Sequence, residues 1–447
     1  MARAIALIDG EHYPPVVRFA LAQLAGSHDV VGAVFIGGTE KVDAAVTDGT
    51  YGLPVIGGPD ASSALAAAIT RFSPEVVIDL SDEPVLSAAD RMALAGVALG
   101  FGVGYRGADF SFTPPSAGHV TRTATLAIIG TGKRVGKTSV SAHIARYLKA
   151  AGRDIVVLAM GRGGAATPEL IRGDEVELTT GELLALARKG VHASSDNYED
   201  AVMSRVTTVG CRRCGGGMAG ETFVSNVAEG AELADSLGKE LIVVEGSGAA
   251  IPPVAADATL LVVGASQGLP YVRDYFGPYR LRLADAVVLA GAEEPLATPA
   301  DIAAIVAAAR RVREDIPIAL VTFRPRPLAD IAGARVFFAT TAVPALLPTL
   351  IAHLETVYGC TVVGASPHLS DRTRLYEDMR ASAGGYDLLL TELKAAAIDV
   401  VAAAGAEAGV PTVLCDNEPL AVDGGDLPAV IEHVVRLSAQ RHDARSQ

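Results

Sequence analysis

Four cysteines in 447 residues, with only one close pair among them, cannot build a disulfide framework. Cys211 and Cys214 would make half of a four-ligand zinc site whose other half must come from elsewhere, and so few thiols suit a reducing cytoplasm. Positive charge is also scarce: 37 Lys and Arg against 51 Asp and Glu give a net charge of −14. A field of that sign repels phosphodiester backbones, which excludes a general nucleic-acid binder. Long apolar runs are missing too. The longest uncharged stretch, Val336 to Leu354, holds Pro344, Pro348 and His353, so it reads as strand, turn and helix and not as a membrane span. The start, Met1 to Asp9, has an apolar stretch too short for a signal-peptide core and ends on an acid, as a first buried strand does. No repeat of fixed period occurs. The 47 Gly and 24 Pro are spread along the chain, and only the polar tail Ser438 to Gln447 reads as disordered. A cytoplasmic protein without membrane or nucleic-acid partner is expected.

What the chain does have is a series of short β-rich apolar runs, each followed by a turn and an alanine-rich helical stretch. They are Ala4–Ile8, Val30–Ile36, Val76–Leu80, Leu126–Ile129, Ile155–Ala159, Leu241–Val244, Leu260–Val263, Ala286–Leu289, Ile318–Val321 and Tyr386–Leu390. Strands alternating with helices predict an α/β protein with parallel sheets covered by helices. The linker-like Ser111-Phe-Thr-Pro-Pro-Ser-Ala-Gly118 suggests a boundary. The expected division is an N-terminal Rossmann-like α/β domain over 1–122, a nucleotide-binding core over 123–330, and a C-terminal α/β extension over 331–447 ending in the disordered tail.

The strongest motif opens the second part. After the strand Thr125–Ile129 comes Gly130-Thr131-Gly132-Lys133-Arg134-Val135-Gly136-Lys137-Thr138-Ser139, then a helical stretch to Lys149. Strand, glycine loop, Lys-Thr and helix is the context of a P-loop. Glycines let successive N–H groups face phosphate oxygens, and the helix start adds partial positive charge. Lys137 would neutralise the β and γ phosphates of ATP, and Thr138 would hold Mg²⁺ through its hydroxyl. Thr131 stands where the common pattern has its first glycine, and the spacing resembles the loop of dethiobiotin synthetase and related ATPases. The whole loop lies in a basic island, since Phe110 to Arg153 contains seven Lys and Arg and no acid. Glu245 follows the apolar run Leu241–Val244 and is the expected acid on the Mg²⁺ side.

Arginines beyond those that ATP needs point to a small anionic substrate. Arg162 and Gly163 follow the strand Asp154–Met160, where a guanidinium fork suits a phosphate. Ala201 to Gly220 is free of acids and reads as an anion-binding loop with Arg205, Arg212, Arg213, Gly215 and Gly216. Arg324 and Arg326, in Phe323-Arg-Pro-Arg-Pro327, form a third group. In the N-terminal part His12 stands among acids at a strand end, where it could carry a proton or simply be capped.

Five stretches in order resemble the cyclic 2,3-diphosphoglycerate synthetase family: Asp9-Gly-Glu-His-Tyr-Pro-Pro15, the loop ending in Thr138, Met160-Gly-Arg-Gly-Gly164, Gly210-Cys-Arg-Arg-Cys-Gly-Gly-Gly217 and Val244-Glu-Gly-Ser-Gly248. The resemblance implies conversion of 2,3-diphosphoglycerate and ATP, with Mg²⁺, to the cyclic phosphoanhydride, ADP and phosphate. It also implies a homodimer and a product that serves as a compatible solute. Lys137, Arg162 and Glu245 would then be the catalytic residues. Two other readings of the loop stay open in the sequence. One is a small-molecule kinase acting on 2-phosphoglycerate or a sugar, given some likeness of Val156–Gly164 to the lipid A disaccharide kinase. The other is a regulatory ATPase, although Gly132 occupies the place of the second lysine such proteins carry.

Overall fold

Ala4 to Ile8 are all buried, as are Ala124 to Gly130 and Leu241 to Glu245, because strands covered by helices on both faces have no solvent side to give to polar residues. The computed structural model describes residues 1–42, 48–115, 117–422 and 425–446. Ser116 of the linker and Gln447 of the tail lie outside the described residues.

Two sheets organise the chain. The first has six strands in the order Val55–Ile56, His28–Phe35, Ala2–Ile8, Val76–Asp79, Gly104–Arg106, Ser111–Phe112, parallel up to its last pair. Its helices start where the sequence caps them: Asp60 accepts from the Ser63 N–H ahead of Ala61–Phe72, and Ser87 and Asp90 form a capping box ahead of Ala88–Gly100. This sheet docks on the rest of the protein through aromatic packing, with the Phe112 and Phe276 rings 5.0 Å apart.

The second sheet centres on Ala124–Gly130. To one side lie Leu241–Glu245, Ile155–Gly161, Thr207–Gly216 and Thr222–Ser225; to the other lie Ala258–Gly264, Ala286–Ala290 and Ile318–Pro327. It continues without a break through Thr412–Ala421, Leu388–Glu392, Arg335–Ala339 and Thr361–Ser366, so residues beyond 331 extend the same sheet. The run Val336–Leu354 is a strand, a turn and the start of helix Leu347–Tyr358. No helix among the described residues is long and apolar enough to cross a membrane.

The tail corrects its expectation. Leu427–Ser446 is a helix that buries Leu427, Val430, Ile431, Val434 and Val435 against the strands of the core. Its polar end is fixed because Arg441 reaches Asp285 at 2.9 Å and Arg445 reaches Asp257 at 3.0 Å. Both acids are buried next to strand ends, and Arg441 and Arg445 neutralise them.

Candidate active site

The loop between strand Ala124–Gly130 and helix Lys137–Ala150 is shaped by close approaches. Gly136 has φ +90, a conformation that favours glycine, and a Cβ there would collide with the Phe323 ring. Thr131 Oγ1 donates to Gln267 Oε1 at 2.5 Å, pinning the loop to the segment after strand Ala258–Gly264. Lys137 is 6% exposed and its Nζ donates to the Gly132 carbonyl at 2.7 Å. Burial pushes its ammonium down to about 8, against the attraction of Glu245 and Asp196.

Glu245 stands at the end of its strand, and Thr138 Oγ1 donates to Glu245 Oε1 at 2.7 Å. Its other oxygen, and both oxygens of buried Asp200, find no hydrogen-bond donor among the described residues. Asp200 adjoins Glu245, and two facing carboxyls offer acceptors only, so a proton or a cation must lie between them. Burial, then the Asp196 charge, pushes Glu245 up to about 7; burial and Glu245 hold Asp200 well above the carboxylate range. The cluster comes from helix Asp196–Ser204, where Asp196, Glu199 and Asp200 fall on one face at i, i+3 and i+4. Glu199 pairs with Lys394 Nζ at 3.0 Å. The oxygen donors of Thr138 and Glu245, hard and partly unsatisfied, suit Mg²⁺.

These groups open into a cleft of about 640 Å³. Lys133, Arg134, Gly136, Lys137, Thr138, Ser139, Arg162, Gly163 and Glu245 line it, whereas Gly130, Thr131, Gly132 and Val135 of the same loop are not among its lining residues. The Arg162 charge, ahead of burial, lowers the Lys133 ammonium, so the two cations share one space. Arg213 sits at the edge, its NH2 donating at 2.6 Å to the carbonyl of Ser247, a lining residue. Leu296, Phe323, Val343, Leu346 and Leu350 form an apolar wall, and Ser370, Glu392, Lys394 and Asn417 reach in from the C-terminal section.

The anion-binding loop expected over 201–220 is instead the strand Thr207–Gly216 folded back on Thr222–Ser225. Arg205 precedes that strand, at the opposite end of the sheet from the cleft; it caps helix Asp196–Ser204 with φ 57 and lies 3.7 Å from Glu177. Arg212 is exposed and is not among the lining residues of the cleft, its Nε donating to the Gly164 carbonyl at 3.0 Å. Gly215 and Gly216 belong to the exposed hairpin, outside the cleft. Cys211 and Cys214, three apart on a strand, face opposite ways: one is buried, with its thiol pushed up to about 12 by burial, and the other is exposed. Arg324 is held by Glu293 at 2.6 Å and Arg326 by Glu418 at 3.0 Å, so neither is a free anion site. His12 is likewise engaged, between Asp9 at 2.9 Å and Asp82 at 3.2 Å. The sequence reading missed Asp196, Glu199, Asp200, Lys394 and the apolar wall. The helical spacing of the three acids was the one local signal available.

A phosphate loop at the carboxyl edge of a parallel sheet, with its lysine, its hydroxyl and an acid on the adjacent strand, defines a P-loop nucleotide-binding protein. Family models for the cyclic 2,3-diphosphoglycerate synthetase match residues 3–113 (N-terminal domain), 125–322 (P-loop domain) and 327–418 (C-terminal domain). The cyclic 2,3-diphosphoglycerate synthetase of Rubrobacter xylanophilus is 48% identical over 421 residues, 94% of each chain. That of Methanothermus fervidus is 43% identical over 447 residues, 98% of this chain and 97% of its own. That of Thermococcus kodakarensis is 45% identical over 98% of this chain and 99% of its own. The chain belongs to the cyclic 2,3-diphosphoglycerate synthetase family. Among solved structures, LpxK from Aquifex aeolicus in complex with ATP covers 71% of this chain and 89% of its own at 14% identity, with a TM-score of 0.39.

Proposed function

We propose that the protein uses ATP to close the intramolecular phosphoanhydride of cyclic 2,3-diphosphoglycerate, releasing ADP and phosphate. The observation that carries this reading is one cleft that joins the P-loop Lys137 and Thr138, the strand-end Glu245, and Arg162 with Lys133 as further cations. Two phosphates cannot condense until one carries a leaving group. An oxygen of one substrate phosphate attacks Pγ of ATP, the Pγ–O bond to ADP breaks, and ADP leaves. An oxygen of the second substrate phosphate then attacks the phosphorus of the first. The bond to the transferred group breaks, and phosphate departs with the γ phosphorus.

Lys137 steadies the transferring group, and Arg162 and Arg213 counter the repulsion between the substrate phosphates. Thr138 and Glu245 would hold Mg²⁺, which when bound neutralises charge on the β and γ oxygens. No general base is required, since the attacking phosphate oxygens are already ionised. The apolar wall at Phe323, beside the loop that fixes the phosphates, receives the base of ATP. A homodimer in the cytoplasm and a compatible-solute role for the product complete the proposal; sedimentation equilibrium checks the first.

Phosphorus NMR of the protein with MgATP and 2,3-diphosphoglycerate tests the reading. A new phosphoanhydride resonance should grow in step with ADP and phosphate, and γ-³²P label should end in free phosphate. ATP consumption without that resonance would remove the synthetase reading. Two substitutions divide the cleft. Arg162→Ala should raise the KM for 2,3-diphosphoglycerate roughly 10- to 150-fold, the equivalent of one charge-assisted hydrogen bond, while Arg205→Ala leaves it unchanged. Phe323→Ala should weaken binding of a fluorescent ATP analogue by about tenfold, as expected when an aromatic contact to the base is lost. Equal effects on both ligands in either variant would contradict this division.

A further inference from the structure

Lys394 follows strand Leu388–Glu392 by two residues, and Ala395 behind it takes a left-handed backbone, φ 47, that turns the chain at the cleft. In sheet order that strand and Ile155–Gly161, which delivers Arg162, lie on opposite sides of the P-loop strand. The sheet nevertheless brings Lys394 Nζ to within 3.0 Å of Glu199 Oε1, on the helix between Ile155–Gly161 and Thr207–Gly216. Asp196 on the same helix lines the cleft, and Asp200 adjoins Glu245. Lys394 therefore stands beside the acidic helix next to Glu245, at the phosphate end of the cleft, and Glu392, two residues before it, accepts from Thr341 Oγ1 at 2.7 Å in the turn that leads to Val343.

An ammonium has three donors and Glu199 takes one. The Lys394 side chain is 28% exposed, against 7% for its partner, and its open part faces the cleft. Burial alone would lower the Lys394 ammonium, but Glu199 and Glu392 outweigh it and hold the group charged. The chemistry calls for such a cation. Lys137 is committed to the transferring phosphoryl group, Arg213 is tied to the Ser247 carbonyl at the edge, and two mutually repelling substrate phosphates leave a place for a further cation beside Arg162 and Lys133.

We propose that Lys394 is a catalytic residue that grips the ring-closing phosphate of the substrate, so that the C-terminal section completes the active site. The assignment rests on the substrate reading given above. It is tested with full-length protein by calorimetric titration of 2,3-diphosphoglycerate, alongside binding of a fluorescent ATP analogue and thermal melting. Lys394→Met should lose roughly tenfold or more in affinity for 2,3-diphosphoglycerate, with ATP-analogue binding within about twofold, and Lys394→Arg should recover most of the loss. In turnover, the KM for 2,3-diphosphoglycerate should rise and that for ATP should not. Glu199→Gln frees the lysine while keeping the shape of its partner, so substrate affinity should hold or rise.

Unchanged substrate affinity in Lys394→Met overturns the assignment. So does a parallel loss of both ligands and of melting temperature in Lys394→Met and Glu199→Gln, the signature of a fastening pair. Should Lys394→Met fail to fold, a loss of substrate affinity in Glu199→Gln overturns it and a retained or higher affinity upholds it. Wild-type protein that neither binds nor converts 2,3-diphosphoglycerate overturns the substrate reading, and this assignment with it.

Discussion

Lys137→Ala is expected to lower turnover by about 10³-fold or more and to leave the fold intact. The lysine is buried, and burial already works against its charge, so replacing it removes a desolvation cost along with the hydrogen bond to Gly132. What the variant loses is the preorganised cation at the point where charge moves during phosphoryl transfer, a kind of contribution worth about 10²–10⁵ in rate. ADP release and the phosphoanhydride resonance should disappear together, while the melting temperature without nucleotide stays level or rises. Turnover within tenfold of wild type would take the loop out of the chemistry.

The second large effect is expected at Glu245. Glu245→Gln keeps the size of the side chain and the contact with Thr138 but removes the charge; activity should fall by roughly 10²–10³-fold, with a higher Mg²⁺ requirement. Stability should move the other way. Glu245 has one buried oxygen without a donor and lies beside Asp200 and Asp196. Its folded value of about 7, raised chiefly by burial, lies above the ordinary 4.5. The stability tied to its protonated form is complete below 4.5 and is lost as the pH rises through about 7. Metal-free melting should therefore show the glutamine variant gaining on wild type as pH increases from 5 to 8. An advantage that shrinks over that interval would mean that the carboxylate is better solvated than its burial implies.

Legibility in the sequence followed burial. Runs such as Leu126–Ile129, Leu241–Val244 and Leu260–Val263 announce themselves because both faces of each strand are covered. Thr207–Gly216 did not, since its second half, Arg212-Arg-Cys-Gly-Gly, leaves the core and continues as an exposed hairpin with the composition of a loop. Thr412–Ala421 was hidden by Asp416, Glu418 and Pro419. The two acids are accounted for by groups far away in sequence: Arg146 and Arg326 pair with both, and His143 pairs with Glu418. The tail helix was hidden in the same way, by acids at distant strand ends.

In the active site, the loop and the strand-end acid were readable because one local segment carries each. Lys394 was not. A lysine two residues past an ordinary strand has no local mark, and its meaning comes from a sheet that carries it back to a helix almost two hundred positions earlier.

The unbroken sheet also restricts how the enzyme can take in its substrate. Seven residue pairs, from Val321 with Ala421 to Pro327 with Cys415, join the P-loop half of the cleft to the half that carries Lys394 and Asn417. A hinge between the halves would have to tear that ladder. Closure around ATP and a second anion therefore falls to side chains and rim turns, such as Arg134 with Ser370 and the turn at Ala395, moving over a frame that stays put.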